Sequence, residues 1–517
     1  MNNKSLINNI GLGILHYLAL KTSSLEGDMA EFGVYKGGSA KIISDSVPDK
    51  TIHLFDTFNE GFPENDVFDI GHKKGEMAFP LTSVKKFLKG RKIKYHVGSF
   101  SKTINNIKNL KFSFVHMDAD LYQSTKEGIK FFWDKIVDGG IIVFDDVICN
   151  DTPGVMKAIK ELLPNEEMII YGNSGHIYKN KCCSFDKIEV LKHCLTLFPE
   201  DNDISTTLMI SLVNENKWNE VFKLHEKRIE TSKDLKEFFS KFPQEKKWMG
   251  ESLENKKLLV VFEQGAGDNI QYLRYAKLLN HNGTNINIAN NHLALSPIIE
   301  VQNYINNVYN KKVINDYDYW CPLLSIPSLI YKENIPYSDC YIDIPEFYEY
   351  EKDFFNIGIV WAGTPGFAND KNRSCPLKKF APIFNLKKTK IWSFQVDRRA
   401  RVYNDDPNNV IDLSEHPDEW IIYDLSPYLG DWYETAKFLK KIDVLITVDT
   451  GILHLAGSMG VPTIAIMPYQ PCWRWGQENK TPWYDSVTIV KQKNPGDWES
   501  LFPDVIKNIK VLNKEII

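Results

Sequence analysis

The sequence predicts an α/β protein of several domains, and three observations carry that expectation. Between Asp28 and Asn180, short apolar runs alternate with helical patterns: MAEFGV (29–34), TIHLFD (51–56), IKYHVG (93–98), FSFVHMD (112–118), GIIVFDD (140–146) and MIIYG (168–172). Such alternation implies a mostly parallel sheet covered by helices on both faces. A second alternation begins at KKLLVVFEQGAGDN (256–269) and runs through NIGIVWAG (356–363), KIWSFQ (390–395) and DVLITVDTG (443–451) to VPTIAIMP (461–468). Between them, residues 186–250 lose the strand pattern and carry helical spacing, as at Leu208, Leu212, Trp218 and Phe222. Two or three connecting helices are expected there. With 517 residues, the chain has room for three or four domains of ~100–200 residues each.

At the N-terminus, Leu6, Ile10, Ile14 and Leu18 recur every four residues, which predicts an amphipathic helix lying on the first domain. A secretory signal is not expected: only Lys4 precedes the apolar stretch, His16 interrupts it, and no small-x-small cleavage site follows. The longest apolar stretch elsewhere is broken by Asp443, Asp449 and His454, so no membrane helix is expected. Lys and Arg number 62 against 67 Asp and Glu, a net charge of −5. That balance argues against a protein built mainly to grip nucleic acid. The eight cysteines, including Cys182 and Cys183, show neither zinc spacing nor a dense framework, which fits reduced thiols in a cytoplasm.

Two constellations carry chemistry. In the first, Glu31-Phe-Gly33-Val-Tyr-Lys-Gly37-Gly38-Ser39 follows a strand and opens a helix. Glycines there let backbone approach a ligand, and a helix start favours an anionic group. The spacing is not that of the dinucleotide fingerprint. The next strand ends in Asp56, an acid placed to accept hydrogen bonds from ribose hydroxyls. Together these point to an adenosine-containing cofactor, against the plainer reading of a tight turn beside a surface acid. Two later strands end in His116-Met-Asp118-Ala-Asp120 and Asp145-Asp146. Neighbouring strands would bring Asp118, Asp145 and Asp146 to one rim, where mutual repulsion calls for a hard cation, Mg²⁺ by preference. Each acid singly would more readily be a helix cap. A strand ending in DxD also marks metal-dependent glycosyltransferases, but the glycine loop, Asp56 and the Asp145-Asp146 pair in this order argue against that rival.

EFGVYKGGSA, HLFDTFNEGFP, MDADLYQST, DGGIIVFDD and Pro153-Gly-Val155 resemble the macrocin/mycinamicin O-methyltransferase family over about residues 28–165. The resemblance implies a Rossmann-like class I fold and Mg²⁺-assisted methylation of a sugar hydroxyl by S-adenosylmethionine. It implies that Glu31, Gly33 and Gly37 line the methionine side of the cofactor, that Asp56 holds the ribose and that Ser99 lies near the adenine. Asp118, Asp145 and Asp146 would hold the metal, with Asp118 counted as catalytic too, and Asp120 follows in the same motif. Methyltransferases of this class often self-associate, which admits a homo-oligomer. No general base is evident; a lone His such as His116 on a strand is more often structural.

In the second constellation, Glu263-Gln-Gly265-Ala-Gly267-Asp268 forms a glycine turn at a helix start. Asp268 is either a general base for a sugar hydroxyl or a cap of the helix that follows. Downstream, Val448-Asp449-Thr450-Gly451-Ile-Leu-His454 enters a helix whose first N–H groups suit a diphosphate. Trp361-Ala-Gly363-Thr364 supplies another glycine turn, and Asn369-Asp370-Lys371-Asn372-Arg373-Ser374 supplies cationic donors.

With PLLSIP (322–327), WRWG (473–476) and PGDW (495–498), these residues resemble GT-B glycosyltransferases of the heptosyltransferase-like, repeat-associated group over about 247–500. Ala266 and Asn269 depart from that group's usual Leu and Thr. The resemblance implies a nucleotide-sugar donor, a catalytic acid at Asp268, diphosphate contacts at Gly363, Thr364, Asp449, Thr450 and His454, and Gln395 near the base. The expected order is thus a methyltransferase domain (1–185), a helical connector (186–250), an acceptor-side GT-B domain (251–350) and a nucleotide-sugar domain (351–517). The expected activity is bifunctional, acting on a sugar or glycan acceptor. The competing expectation is an active methyltransferase carrying an inactive GT-B scaffold.

Overall fold

The computed structural model describes the chain apart from residues 1–4, 64–67, 69–70, 150, 172, 181–185, 311–314, 331–334, 338, 352, 367–369, 397–401, 404–409, 412–420, 477–479 and 514–517. Cys182, Cys183 and Asn369 lie outside the described residues. The chain divides into two compact units, Met1–Ser211 and Leu212–Ile517. Among the described residues no helix is long and apolar enough to cross a membrane.

The first unit is built on seven strands: β1 (Asp28–Phe32), β2 (Ile52–Asp56), β3 (Ile93–Val97), β4 (Phe112–Met117), β5 (Ile136–Phe144), β6 (Met168–Tyr171) and β7 (Ser174–Tyr178). Their order is β3-β2-β1-β4-β5-β7-β6. The first five run parallel, and β7 pairs antiparallel to both β5 and β6. All six residues of β4 are buried, as expected for a central strand covered on both faces. Register sets the functional rim. Phe32 pairs with Phe55 and with Met117, and Met117 pairs with Phe144. The residues after these positions, Gly33, Asp56, Asp118 and Asp145, therefore emerge on the same edge of the sheet.

The N-terminal helix Asn9–Thr22 differs from its amphipathic expectation. Ile10, Leu12, Ile14, Leu15 and Leu18 are all buried, as are Gly11 and Gly13, while Leu6 before the helix and Leu20 and Lys21 at its end are exposed. The helix packs against Lys187–Leu197, and a Cβ at Gly13 would lie 2.5 Å from Cys194 Sγ. A helix buried nearly all round needs no polar face.

The second unit carries two parallel sheets. One has the order β10-β9-β8-β11, from β8 (Lys257–Val261), β9 (Asn285–Asn290), β10 (Asn307–Asn310) and β11 (Tyr319–Pro322). The other uses β12 (Phe355–Val360), β13 (Thr389–Ser393), β16 (Ile422–Asp424), β17 (Val444–Thr447), β18 (Thr463–Met467) and β19 (Val487–Lys491) in the order β16-β13-β12-β17-β18-β19. A short antiparallel pair, β14 (Val402–Tyr403) and β15 (Val410–Ile411), stands apart. This is the Rossmann-like pair expected of the C-terminal half.

The connecting region holds five helices rather than two or three: Lys187–Leu197, Asn202–Asn214, Trp218–His225, Lys227–Thr231 and Lys233–Phe239. The last three are built into the second unit. Trp218 meets Trp483 edge-on at 5.4 Å, Phe222 meets Tyr275 at 6.0 Å, and Phe239 stacks on Trp320 at 5.9 Å.

Candidate active sites

In the first unit, β1 runs into a loop that only glycine can form at two points. Gly33 has φ 88° and Gly37 φ 82°, left-handed values that a side chain resists. A Cβ at Gly33 would lie 1.8 Å from the Asp118 carbonyl oxygen, so this glycine brings the loop directly against the end of β4. Gly37 caps the helix Gly38–Ser46. Asp56 braces the loop: its Oδ2 accepts from Val34 N at 2.7 Å and Tyr35 N at 2.9 Å, and its Oδ1 accepts from Phe58 N. Ser99 is exposed, just after β3.

Glu31, fully buried on β1, accepts from His116 Nδ1 at 2.8 Å through Oε1, and its Oε2 has no hydrogen-bond partner among the described residues. Burial opposes charging of His116, yet the bond and charge of Glu31 lift its pKa above the usual imidazole range. At the adjoining rim, burial and the charges of Asp145 and Asp120 push Asp118 well above the usual carboxylate range. Burial and Asp146, with which it shares a side-chain hydrogen bond, do the same to Asp120. Burial and Asp145 raise Asp146. Asp145 Oδ1 accepts from Ser174 Oγ at 2.6 Å; Ser174 opens β7, a strand that the alternation pattern did not disclose.

These carboxylates repel one another, and His116 near Asp118 and His72 near Asp146 offset that repulsion only in part, which is donor chemistry that suits a hard divalent ion. They are not gathered into a ready cage: among the described residues no three His, Cys, Asp or Glu side chains are grouped so as to ligate one ion. Beside them lies an open groove of about 590 Å³ floored by Val147, Ile148, Pro153 and Met156.

In the second unit, the start of helix Ala266–Leu279 meets the start of helix Gly451–Ser458. A Cβ at Gly267 would lie 3.1 Å from Gly451 Cα and 2.9 Å from His454 Cδ2. The glycines of QGAGD and DTG thus serve a close helix–helix approach as well as their turns. Of the two roles its sequence left open, Asp268 fills the cap, and its other oxygen is engaged in an ion pair. Its Oδ2 accepts from Gly265 N at 3.2 Å, capping the helix, while its Oδ1 pairs with Arg474 Nη2 at 2.8 Å.

Asp449 lies between cations. Burial pushes its pKa up against the pull of Arg373 and Arg474, and Arg373 Nη1 donates to the Asp449 carbonyl at 3.0 Å. A Cβ at Gly363 would fall within 2.4 Å of the Arg373 guanidinium, so Gly363 makes room for that side chain. Thr364 is exposed, and Thr450 caps the helix Gly451–Ser458 without a side-chain bond to it.

His454 and Gln395 are occupied within the fold. His454 is buried, bonds Tyr484 Oη at 2.9 Å through Nδ1 and stacks on Trp475 at 5.4 Å. Burial, then Arg474 and Arg274, lower its pKa to about 3, so it is neutral. Gln395 Oε1 accepts from Trp361 N and Ala362 N, and its Nε2 donates to Ala362 O at 3.1 Å. In WRWG both tryptophans are buried and pack the core, while Arg474 reaches the site. Arg474 is a side chain of this candidate site that the sequence pattern did not point to. Its signal was a cation between two aromatics, with nothing in the spacing to link it to Asp268.

Known proteins align with both halves. Residues 17–169 match the family Macrocin-O-methyltransferase (TylF), and residues 414–500 match Glycosyltransferase family 9 (heptosyltransferase). An 8-demethyl-8-(2,3-dimethoxy-α-L-rhamnosyl)-tetracenomycin-C 4′-O-methyltransferase from Streptomyces olivaceus is 25% identical over 138 residues, covering 23% of this chain and 52% of its own length. The chain thus spans about half of that curated relative. Among solved structures, a calicheamicin methyltransferase aligns with TM-score 0.30 and 19% identity over 33% of this chain and 77% of its own. E. coli ADP-heptose LPS heptosyltransferase II aligns with TM-score 0.36 and 11% identity over 50% of this chain and 98% of its own. One chain thus carries matches to two transferase families, macrocin O-methyltransferase in its N-terminal segment and glycosyltransferase family 9 in its C-terminal one.

Proposed function

We propose that the chain is a bifunctional enzyme of glycan assembly, methylating a sugar hydroxyl in its first unit and transferring a glycosyl group in its second. The observation that supports this is that each unit presents a glycine turn and acids at the carboxyl ends of parallel strands, where open α/β sheets take their ligands. We assign residues 1–185 to methyl transfer, 186–250 to connection, 251–350 to the acceptor side and 351–517 to the nucleotide-sugar side. The unpaired thiols of the six described cysteines accord with a cytoplasmic setting.

The first site suits S-adenosylmethionine, which when bound supplies an electrophilic methyl group to an acceptor oxygen. Gly33 and Gly37 let backbone line the cofactor, and the unpartnered Oε2 of Glu31 is an acceptor for its ammonium group. Asp56, while bracing the loop, keeps lone pairs for ribose hydroxyls, and Ser99 lies on the adenine side. Asp118, Asp145 and Asp146 would hold Mg²⁺, which supplies charge that orients a sugar hydroxyl and lowers its pKa. The chain's own contribution is positioning, the main source of rate in a displacement of this kind.

In the second unit, Asp268 serves as base for the acceptor hydroxyl. Gly363, Thr364, Asp449 and Thr450 surround the donor diphosphate, and Arg373 and Arg474 supply the charge that a departing diphosphate requires. Gln395 and His454 shape the walls of that site.

The engagement of Asp268 by both Arg474 and the Gly265 amide favours a second reading, in which the second unit is an inactive scaffold. Thermal melting of the full chain decides. S-adenosylmethionine, S-adenosylhomocysteine and ADP-, GDP-, UDP-, CMP- and dTDP-sugars are each tested with and without Mg²⁺. A ligand at ~100 times its Kd stabilises by about 2.7 kcal/mol. Shifts with an S-adenosyl compound and with one nucleotide class support two live sites; a shift with the S-adenosyl compounds alone supports the scaffold.

A further inference from the structure

We propose that Arg228, on the connecting helix Lys227–Thr231, is a positioning residue for Asp268. Its bidentate ion pair with Glu263 holds the turn that presents the Asp268 carboxylate, an inference that rests on the glycosyl-transfer reading above.

The turn Glu263–Asp268 is held at Glu263, Gln264, Gly265 and Asp268. Arg228 donates from Nε to Glu263 Oε2 at 3.0 Å and from Nη2 to Oε1 at 2.6 Å. The same guanidinium reaches Ser325 Oγ at 2.9 Å, Glu226 Oε1 at 2.7 Å and the His225 carbonyl at 3.3 Å. Glu263 has a side chain 0% exposed and Arg228 one 9% exposed. On the other side, Glu263 N donates to Asn269 Oδ1 at 3.1 Å, Asn269 Nδ2 donates to Gly265 O at 2.9 Å, and His292 bonds the Gln264 carbonyl. Gln264 between them has φ 56°, a left-handed conformation that persists only when its surroundings impose it.

A buried ion pair is weak as a source of net stability, because desolvation offsets most of the attraction. Its two-pronged geometry is strong as a source of orientation. Glu263 could have been an apolar residue if the turn needed only filling. A fully satisfied Arg–carboxylate fork, reaching in from the connector, is better explained as fixing the backbone direction from which Asp268 projects. The connecting helices are thereby part of the site's support rather than a spacer. Lysine keeps the charge but not the fork, which makes R228K the informative variant.

The test uses the full chain. R228K removes the fork, and the double variant R228M/E263Q removes both charges so that neither is left buried alone. Amide hydrogen exchange is followed by mass spectrometry across 262–270, with thermal melting alongside. The expected result is exchange about tenfold faster in 263–269 for both variants, with β12 and β17 unchanged. Nucleoside phosphate release is then measured with the five nucleotide-sugars above. With a donor that turns over, R228K is expected to lower kcat about tenfold while KM for the donor stays within about twofold. Unchanged exchange in the turn overturns the proposal, as does a loss confined to donor KM. If the wild-type protein turns over no donor, the glycosyl-transfer reading fails and Arg228 reduces to a brace for the turn.

Discussion

Asp268 Oδ1 and Arg474 Nη2 lie 2.8 Å apart, joining the first turn of helix Ala266–Leu279 to the WRWG turn. Their side chains are 25% and 12% exposed, so the pair is only partly solvated and its loss leaves a charge poorly compensated. R474M is expected to lower stability by about 2 kcal/mol, read by urea unfolding, and to abolish sugar transfer. D268N keeps the cap partly intact and is expected to lose sugar transfer while methyl transfer by the same preparation stays at wild-type rate. Loss of both activities in D268N would contradict the separation of the two sites.

Gly33→Ala confronts a Cβ with the Asp118 carbonyl at 1.8 Å on a backbone at φ 88°. Relief requires the loop to move off β4. We expect a stability loss of about 2–4 kcal/mol and loss of S-adenosylmethionine binding by calorimetry. Full-strength binding in a folded G33A protein would show that the loop does not cradle the cofactor.

Asp118→Asn removes one of several carboxylates that raise one another's pKa. Relief of that repulsion is expected to raise the melting midpoint of the first unit by about 2–4 °C, while methyl transfer falls at least about a hundredfold. In the wild-type protein, EDTA is expected to remove the activity and added Mg²⁺ to restore it. Activity that survives exhaustive chelation would sink the metal assignment.

His454 makes the second unit sensitive to acid. Its folded pKa is lowered to about 3, against about 6.5 in an unfolded chain. Between those values the unfolded state binds the extra proton, so stability falls as pH drops through that window and is unaffected above it. One such group contributes a slope of about 1.4 kcal/mol per pH unit well inside the window. Urea unfolding between pH 7 and 4.5 is expected to show a shallower decline in H454F than in wild type. Equal slopes would mean that His454 is not buried in its neutral form.

Much of the first site was legible because it follows the sheet's own grammar. A strand that ends in Glu31 and Gly33, and others that end in Asp56, Asp118 and Asp145, must share a rim if they lie side by side in parallel. The strand order and the pairing of Phe32 with Phe55 and Met117 made them do so. The N-terminal helix differs in kind from what its spacing predicts. Its four-residue spacing marked one apolar face, but glycines and an alanine on the other faces allow close neighbours there too, and only the packing against Cys194 reveals it. The five connecting helices were undercounted because their short lengths blur a 3.6-residue period.

His454 shows the limit most clearly. In DTGILH it stands one turn from Thr450, a spacing that fits a cleft as well as it fits a core. Helical periodicity places a side chain on a face without saying what covers that face. Here Trp475 and Tyr484 cover it, from segments whose position no local rule supplies.

By itself, then, the amino-acid order determined the alternation of strands and helices, the turns that only glycine can make, and the acids at strand ends, because these depend on backbone sterics and on periods of two and 3.6 residues. Tertiary structure alone decided that Arg474 faces Asp268, that Arg228 grips Glu263, and that His454 is spent on packing. Those are meetings of side chains distant in sequence, and they are set by how whole helices pack against sheets and against one another.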